Sequence, residues 1–199
     1  MHAKTALLSS ILTIATSGCA TTQSPEEREL EFLALSPAHF TQSLSVTDDP
    51  LNPDVRINTR AGWRDYQFSF GPRDDQFLRA SLPRNEGIAV LQAYVTAEAN
   101  TTSALQPVSV NFEHSVEARD VDRVNLDVRS CSRNSCIYYE EMVFDLTLAE
   151  INQLITGIED RSHPVVRFRI QGLSGRQRDG RFHISELRAF RDAVVAHAN

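Results

Sequence analysis

Lysine is almost missing from this chain. Lys4 is the only one in 199 residues, against 19 arginines. Beyond residue 4, therefore, the sequence has no Ser-x-x-Lys nucleophile and no Gly-Lys-Ser/Thr phosphate loop, and it carries no Gly-x-Ser-x-Gly elbow either. Long apolar runs are also missing. Nothing approaches the roughly 20 apolar residues that a membrane-spanning helix needs. The six histidines, at 2, 39, 114, 163, 183 and 197, never fall at ligand spacing, so no metal or other cofactor is expected. Cysteine is limited to three positions, 19, 131 and 136, and that odd number requires an explanation. Positive charge is in deficit, with 20 Lys and Arg against 26 Asp and Glu and a net charge of −6. Such a balance argues against nucleic acid as a partner.

What is present begins with a short positive head, His2 and Lys4, followed by an uncharged apolar stretch from Thr5 to Ala15. Its length is that of a signal-peptide core, about 7–15 residues. Thr16-Ser17-Gly18-Cys19 follows, and here the chain resembles bacterial lipoprotein precursors, with small residues before a cysteine. The resemblance implies a diacylglycerol thioether on Cys19, cleavage before it, and stable anchoring through more than one acyl chain. Thr16 stands where an aliphatic residue is usual, and a secretory signal cut after Ala20 is the alternative. Ala20 also stands where an Asp would imply inner-membrane retention, so the resemblance implies the outer membrane, facing the periplasm. Loss of residues 1–18 takes Lys4 with it, leaving 19 cationic against 26 acidic residues, a net charge of −7.

Acylation of Cys19 leaves Cys131 and Cys136 as a pair. Val124, Leu126 and Val128 alternate with polar residues before them, and Tyr138, Met142, Phe144 and Leu146 keep the same period after them. Alternation on both sides of the polar turn 132–135 predicts a β-hairpin with the cysteines opposed at its end. An oxidising periplasm then favours a disulfide, with Cα atoms ~5.5 Å apart. A redox dithiol would want Cys-x-x-Cys at a helix start, and zinc would want two more ligands; neither condition is met.

The remaining periodicities predict an α+β fold: an antiparallel β-rich domain, a sandwich or packed sheet, with a short helix after the disulfide hairpin and a C-terminal helix. Strand patterns lie around Leu44 and Val46, 55–59, Tyr66 to Phe70, 77–82, 88–97, and Val108 to Phe112. Later ones lie at 165–170 and at Phe182 and Ile184. Ser24-Pro25-Glu26-Glu27 and Thr147-Leu148-Ala149-Glu150 read as helix starts, and Ser185 as the cap of the last helix. The expected organisation is signal peptide 1–18, lipid tether and short helix 19–37, and one β-rich domain 38–199.

Several of these features in order resemble a family of small exported proteobacterial proteins, often lipoproteins. They are Phe77-Leu78-Arg79-Ala80, Leu91-Gln92-Ala93-Tyr94-Val95, the cysteine hairpin with Tyr138 and Glu140, and Arg169-Ile170-x-Gly172 before a terminal helix. The resemblance covers about residues 75–195 and implies no activity.

Chemistry-bearing clusters are few. Glu140 and Glu141 are adjacent carboxylates, but in a strand they point to opposite faces. With His114 they make the best enzyme site the sequence offers. Arg167, Arg169, Arg176, Arg178 and Arg181 could form a patch for an anionic or protein partner. The acidic stretch Glu113, Glu117, Asp120, Asp122 and Asp127 is a possible internal counterpart to those arginines. The expectation is a non-enzymatic envelope lipoprotein that binds another envelope protein or supports assembly. The alternatives are a small-ligand carrier, or an enzyme with a site around Glu140, Glu141 and His114.

Overall fold

A computed structural model of the chain describes residues 24–59, 64–66, 72–85, 89–100, 105–113, 118–133, 136–158, 163–173 and 175–198. Cys19 and His114 lie outside the described residues. The architecture is α+β, two antiparallel sheets with helices packed beside them, as the alternation predicts.

The larger sheet has the order β1 (Leu44–Thr47), β2 (Asp54–Thr59), β4 (Pro72–Pro83), β5 (Val90–Asn100), β9 (Cys136–Leu146), β8 (Asp122–Cys131). β3 (Arg64–Tyr66) also pairs with β4. The smaller sheet has the order β11 (Gln177–His183), β10 (Val165–Gly172), β6 (Pro107–Phe112), β7 (Arg119–Asp120). Four helices are found among the described residues: α1 (Pro25–Leu33), α2 (Pro37–Ser43), α3 (Leu148–Thr156) and α4 (Ile184–His197).

Period-two alternation sets the core. Leu78, Ala80, Ala93, Val95, Met142 and Phe144 face inward from the large sheet; Val110, Phe112, Val166, Phe168, Ile170 and Phe182 answer from the small one. Phenylalanines interlock between the layers: Phe112 lies 5.8 Å from Phe144, Phe144 lies 5.5 Å from Phe168, and Phe168 stacks on Phe182 at 5.0 Å. Phe168 is paired across the sheet with Gly180, where a Cβ would come within 2.1 Å of the Phe168 Cζ. The ring therefore needs a glycine at that position.

Both capping boxes form as read, at Ser24/Glu27 and Thr147/Glu150. Ser36-Pro37 does not simply end the first helix. Ser36 caps α2, a second helix that the sequence reading lacked. The last helix is capped not by Ser185 but by His183, whose Nδ1 accepts from the Ser185 N–H at 3.1 Å. β11 also begins earlier than expected, at Gln177 rather than just before Phe182.

Cys131 and Cys136 are disulfide-bonded at the end of the β8–β9 hairpin, as predicted. Their Cα atoms are 4.0 Å apart, nearer the ~4.5 Å of a non-hydrogen-bonded antiparallel pair than the expected spacing. β8 forms one edge of the large sheet, with Val124, Leu126 and Val128 exposed along it. Two bulges, between Arg123 and Asn125 and between Val128 and Ser130, interrupt its pairing. No described helix is long and apolar enough to cross a membrane.

Candidate functional site

The outer face of the small sheet is polar because its outward positions carry charge or amides. Arg167 and Arg169 alternate on β10 with the buried Val166, Phe168 and Ile170. Across the ladder, Arg167 faces Arg181, and Arg169 faces Asp179 on one side and Asn111 on the other. Together with Glu29 of α1, Glu113 and Gln171, these residues line an open groove of about 690 Å³.

The groove is electrostatically balanced. Arg169 grips Asp179 through both Nε (2.5 Å) and Nη2 (2.9 Å). Hydrogen bonding from Arg169 holds the Asp179 carboxyl below its ordinary range, with Arg181 and Arg167 adding to the effect against some desolvation. The same carboxylate raises Arg169 above the ordinary guanidinium value. Glu29 receives Arg181 Nη1 at 2.7 Å and lies 3.7 Å from Arg167 Nη2. The guanidinium ends stay accessible, with the Arg167 and Arg169 side chains 58% and 50% exposed. Exposed guanidiniums already holding carboxylates are suited to exchanging them for those of a partner, because Arg binds carboxylate in a planar, two-point geometry.

The expected five-arginine patch is therefore only partly assembled. Arg167, Arg169 and Arg181 meet in the groove, while Arg176 and Arg178 line a separate cleft of about 290 Å³ with Glu98, Leu105 and Glu140. Strand alternation is the reason: Arg178 pairs across from the inward Ile170, whereas Arg181 pairs across from the outward Arg167. Glu29 and Asp179 form ion pairs in the groove; of the acidic stretch 113–127, Glu117 lies outside the described residues, and among the described ones Glu113 lines the groove.

Glu140 and Glu141 do lie on opposite faces. Glu140 is 1% exposed and accepts backbone N–H bonds from Leu105 (2.8 Å) and Gln106 (3.2 Å), with Arg123 Nη1 at 3.7 Å. Gln106 sits at φ 49°, in the left-handed region, so the buried carboxylate holds an unusual backbone turn leading into β6. Its two oxygens are occupied by structure. Glu141 is half-buried on the other face, in register with Thr96 and Asn125. Among the described residues, no three of His, Cys, Asp or Glu are grouped to hold a metal.

Sequence reasoning missed the most perturbed group. Glu186, in the first turn of α4, is fully buried, and burial pushes its carboxyl up to about 8. The Thr59 hydroxyl donates to its Oε1 at 2.6 Å and itself accepts the Leu78 N–H at 2.8 Å, while Oε2 is buried without a hydrogen bond. Beside it, burial lowers the imidazole of His183, opposed by the Leu33 carbonyl and reinforced by His39. The one available signal was positional: Glu186 is three residues past the cap, where a glutamate turns back toward the helix start.

Comparison with protein-family models, with curated proteins and with solved structures yields no match.

Proposed function

We propose that this chain is a lipid-anchored envelope protein, held to the membrane through Cys19, whose domain is a non-enzymatic binding module. Its groove around Arg167, Arg169 and Arg181 takes acidic side chains of another envelope protein. The observation that carries this reading is the pair of exposed arginine side chains, Arg167 and Arg169, with the carboxylates of Glu29 and Asp179 already beside them. The alternative centre of chemistry, Glu140, has its oxygens committed to backbone N–H groups. The anchor is supported by the sulfur arithmetic: Cys131 and Cys136 bond to each other, leaving Cys19 for acylation.

Two experiments test the parts separately. Photocrosslinkers placed at Arg167 and Arg169 in intact envelopes are expected to capture a discrete protein. One at Gln92, on the outer face of the large sheet, is expected not to. Equal capture from both faces, or none from the groove, refutes the site. For the anchor, a Cys19→Ala variant is expected to leave the membrane fraction; unchanged fractionation refutes it.

A further inference from the structure

The groove has a lodger of its own. α1 lies over the end formed by Arg167 and Arg181 and meets the domain through one face, carrying Glu29 and Phe32. Residues three apart on a helix share a face, so one turn delivers a carboxylate and an aromatic ring side by side. The carboxylate goes to Arg181 and Arg167. The ring enters a small apolar seat made with Phe40, Val165 and Ala189, which forms a cluster apart from the main core. There Phe32 meets His183 edge-on at 5.6 Å, and Phe40 stacks on the same imidazole at 4.9 Å. Leu33, the residue after Phe32, packs half-buried on the same cluster and Arg28 is half-buried, while the opposite side faces out: Leu30 is 66% exposed, and Glu26, Glu27 and Glu31 are exposed as well. A nine-residue helix that sends a single fully buried side chain, Phe32, into the domain opens at lower cost than the strands beneath it.

We infer that the shelf beneath α1 is a docking site for a helix presenting a carboxylate and an aromatic ring three residues apart, and that α1 is its resident, exchangeable ligand. The arginine pair and the ring seat lie one helical turn apart, which fixes the chemistry of the occupant: an acidic amphipathic helix. The inference rests on the proposed function only in assigning the uncovered groove to an envelope partner. Departure of α1 has a mechanical effect too. Nine residues that rise 1.5 Å each as helix can extend to about 3.3 Å each, adding roughly 16 Å of reach.

The test needs no envelope partner, so its failure is separable from failure of the groove crosslinks. In the full chain, the double substitution Glu29→Gln and Phe32→Ala vacates the shelf. A fluorescent peptide with the sequence of residues 24–36 is then titrated against this variant and against the parent. The expected result is saturable binding to the variant and binding at least about tenfold weaker to the parent, whose own helix competes. The peptide carrying the same two substitutions is expected not to bind. Equal affinity for both chains, or no binding to the vacated one, overturns the inference. Hydrogen exchange on the unmodified chain gives an independent reading. The α1 amides are expected to exchange at least about a hundredfold faster than those of β10; exchange of both at the same rate overturns the inference as well.

Discussion

Glu186→Gln should remove a fall of stability with pH over a defined window and so reverse the stability order of parent and variant across it. The carboxyl is fully buried at the start of α4, and burial raises it from an ordinary 4.5 to about 8. A raised carboxyl favours folding most fully below the unfolded value, because only there are both states protonated. As pH climbs from 4.5 towards 8, the unfolded chain ionises and the folded one does not. Stability then falls by about 1.4 kcal/mol per pH unit, in total on the order of 5 kcal/mol. Glutamine cannot ionise and still accepts from the Thr59 hydroxyl, but it places an amide where Oε2 lies buried without a partner. That costs about 1–2 kcal/mol at every pH. The two curves should therefore cross: the variant is expected to be less stable by about 1 kcal/mol at pH 5 and more stable by ~2–3 kcal/mol at pH 8. Urea unfolding followed by far-ultraviolet circular dichroism at half-unit pH steps measures this directly. Parallel curves for parent and variant would refute the reasoning, because they would mean that Glu186 ionises alike in both states.

Gly180→Ala is expected to destabilise by about 2–3 kcal/mol, because its Cβ would sit 2.1 Å from Phe168 Cζ. Adding Phe168→Leu should recover part of that loss in a double-mutant cycle read by thermal unfolding. Glu140→Ala should cost roughly 2–3 kcal/mol in urea unfolding by stranding the Leu105 and Gln106 N–H groups, and exchange protection at those two amides should fall first. Replacing Cys131 and Cys136 together by serine is expected to cost about 2 kcal/mol, the low end for a disulfide, because the closed loop is short; a fall in melting temperature measures it.

Local features of the chain were legible because each rests on a few neighbouring residues. Val166, Phe168 and Ile170 announce a strand with one wet face, and Thr147 with Glu150 announces a helix start. The disulfide followed from counting and from alternation on both sides of a turn. The misses have physical causes. Ser36-Pro37 can end one helix or begin another, and only the burial of Phe40 decides that a second one forms. The division of the arginines depended on where β11 begins: moving its start back to Gln177 puts Arg178 and Arg181 on opposite faces. The Glu29–Arg181 bridge joins residues 152 apart, beyond the reach of any local pattern. Glu186 looks like a surface residue of an amphipathic helix, and the packing of α4 against β2, β4 and its neighbouring helices hides it.

The β8 strand leaves one edge of the large sheet open. Under the proposed anchor, tethering would concentrate copies in two dimensions, where an open strand lined with Val124, Leu126 and Val128 invites sheets to zip together. The bulges at either end of that stretch leave only a few residues in regular register, too short a seam to propagate. Neighbouring molecules can therefore crowd together without fusing into a continuous fibre.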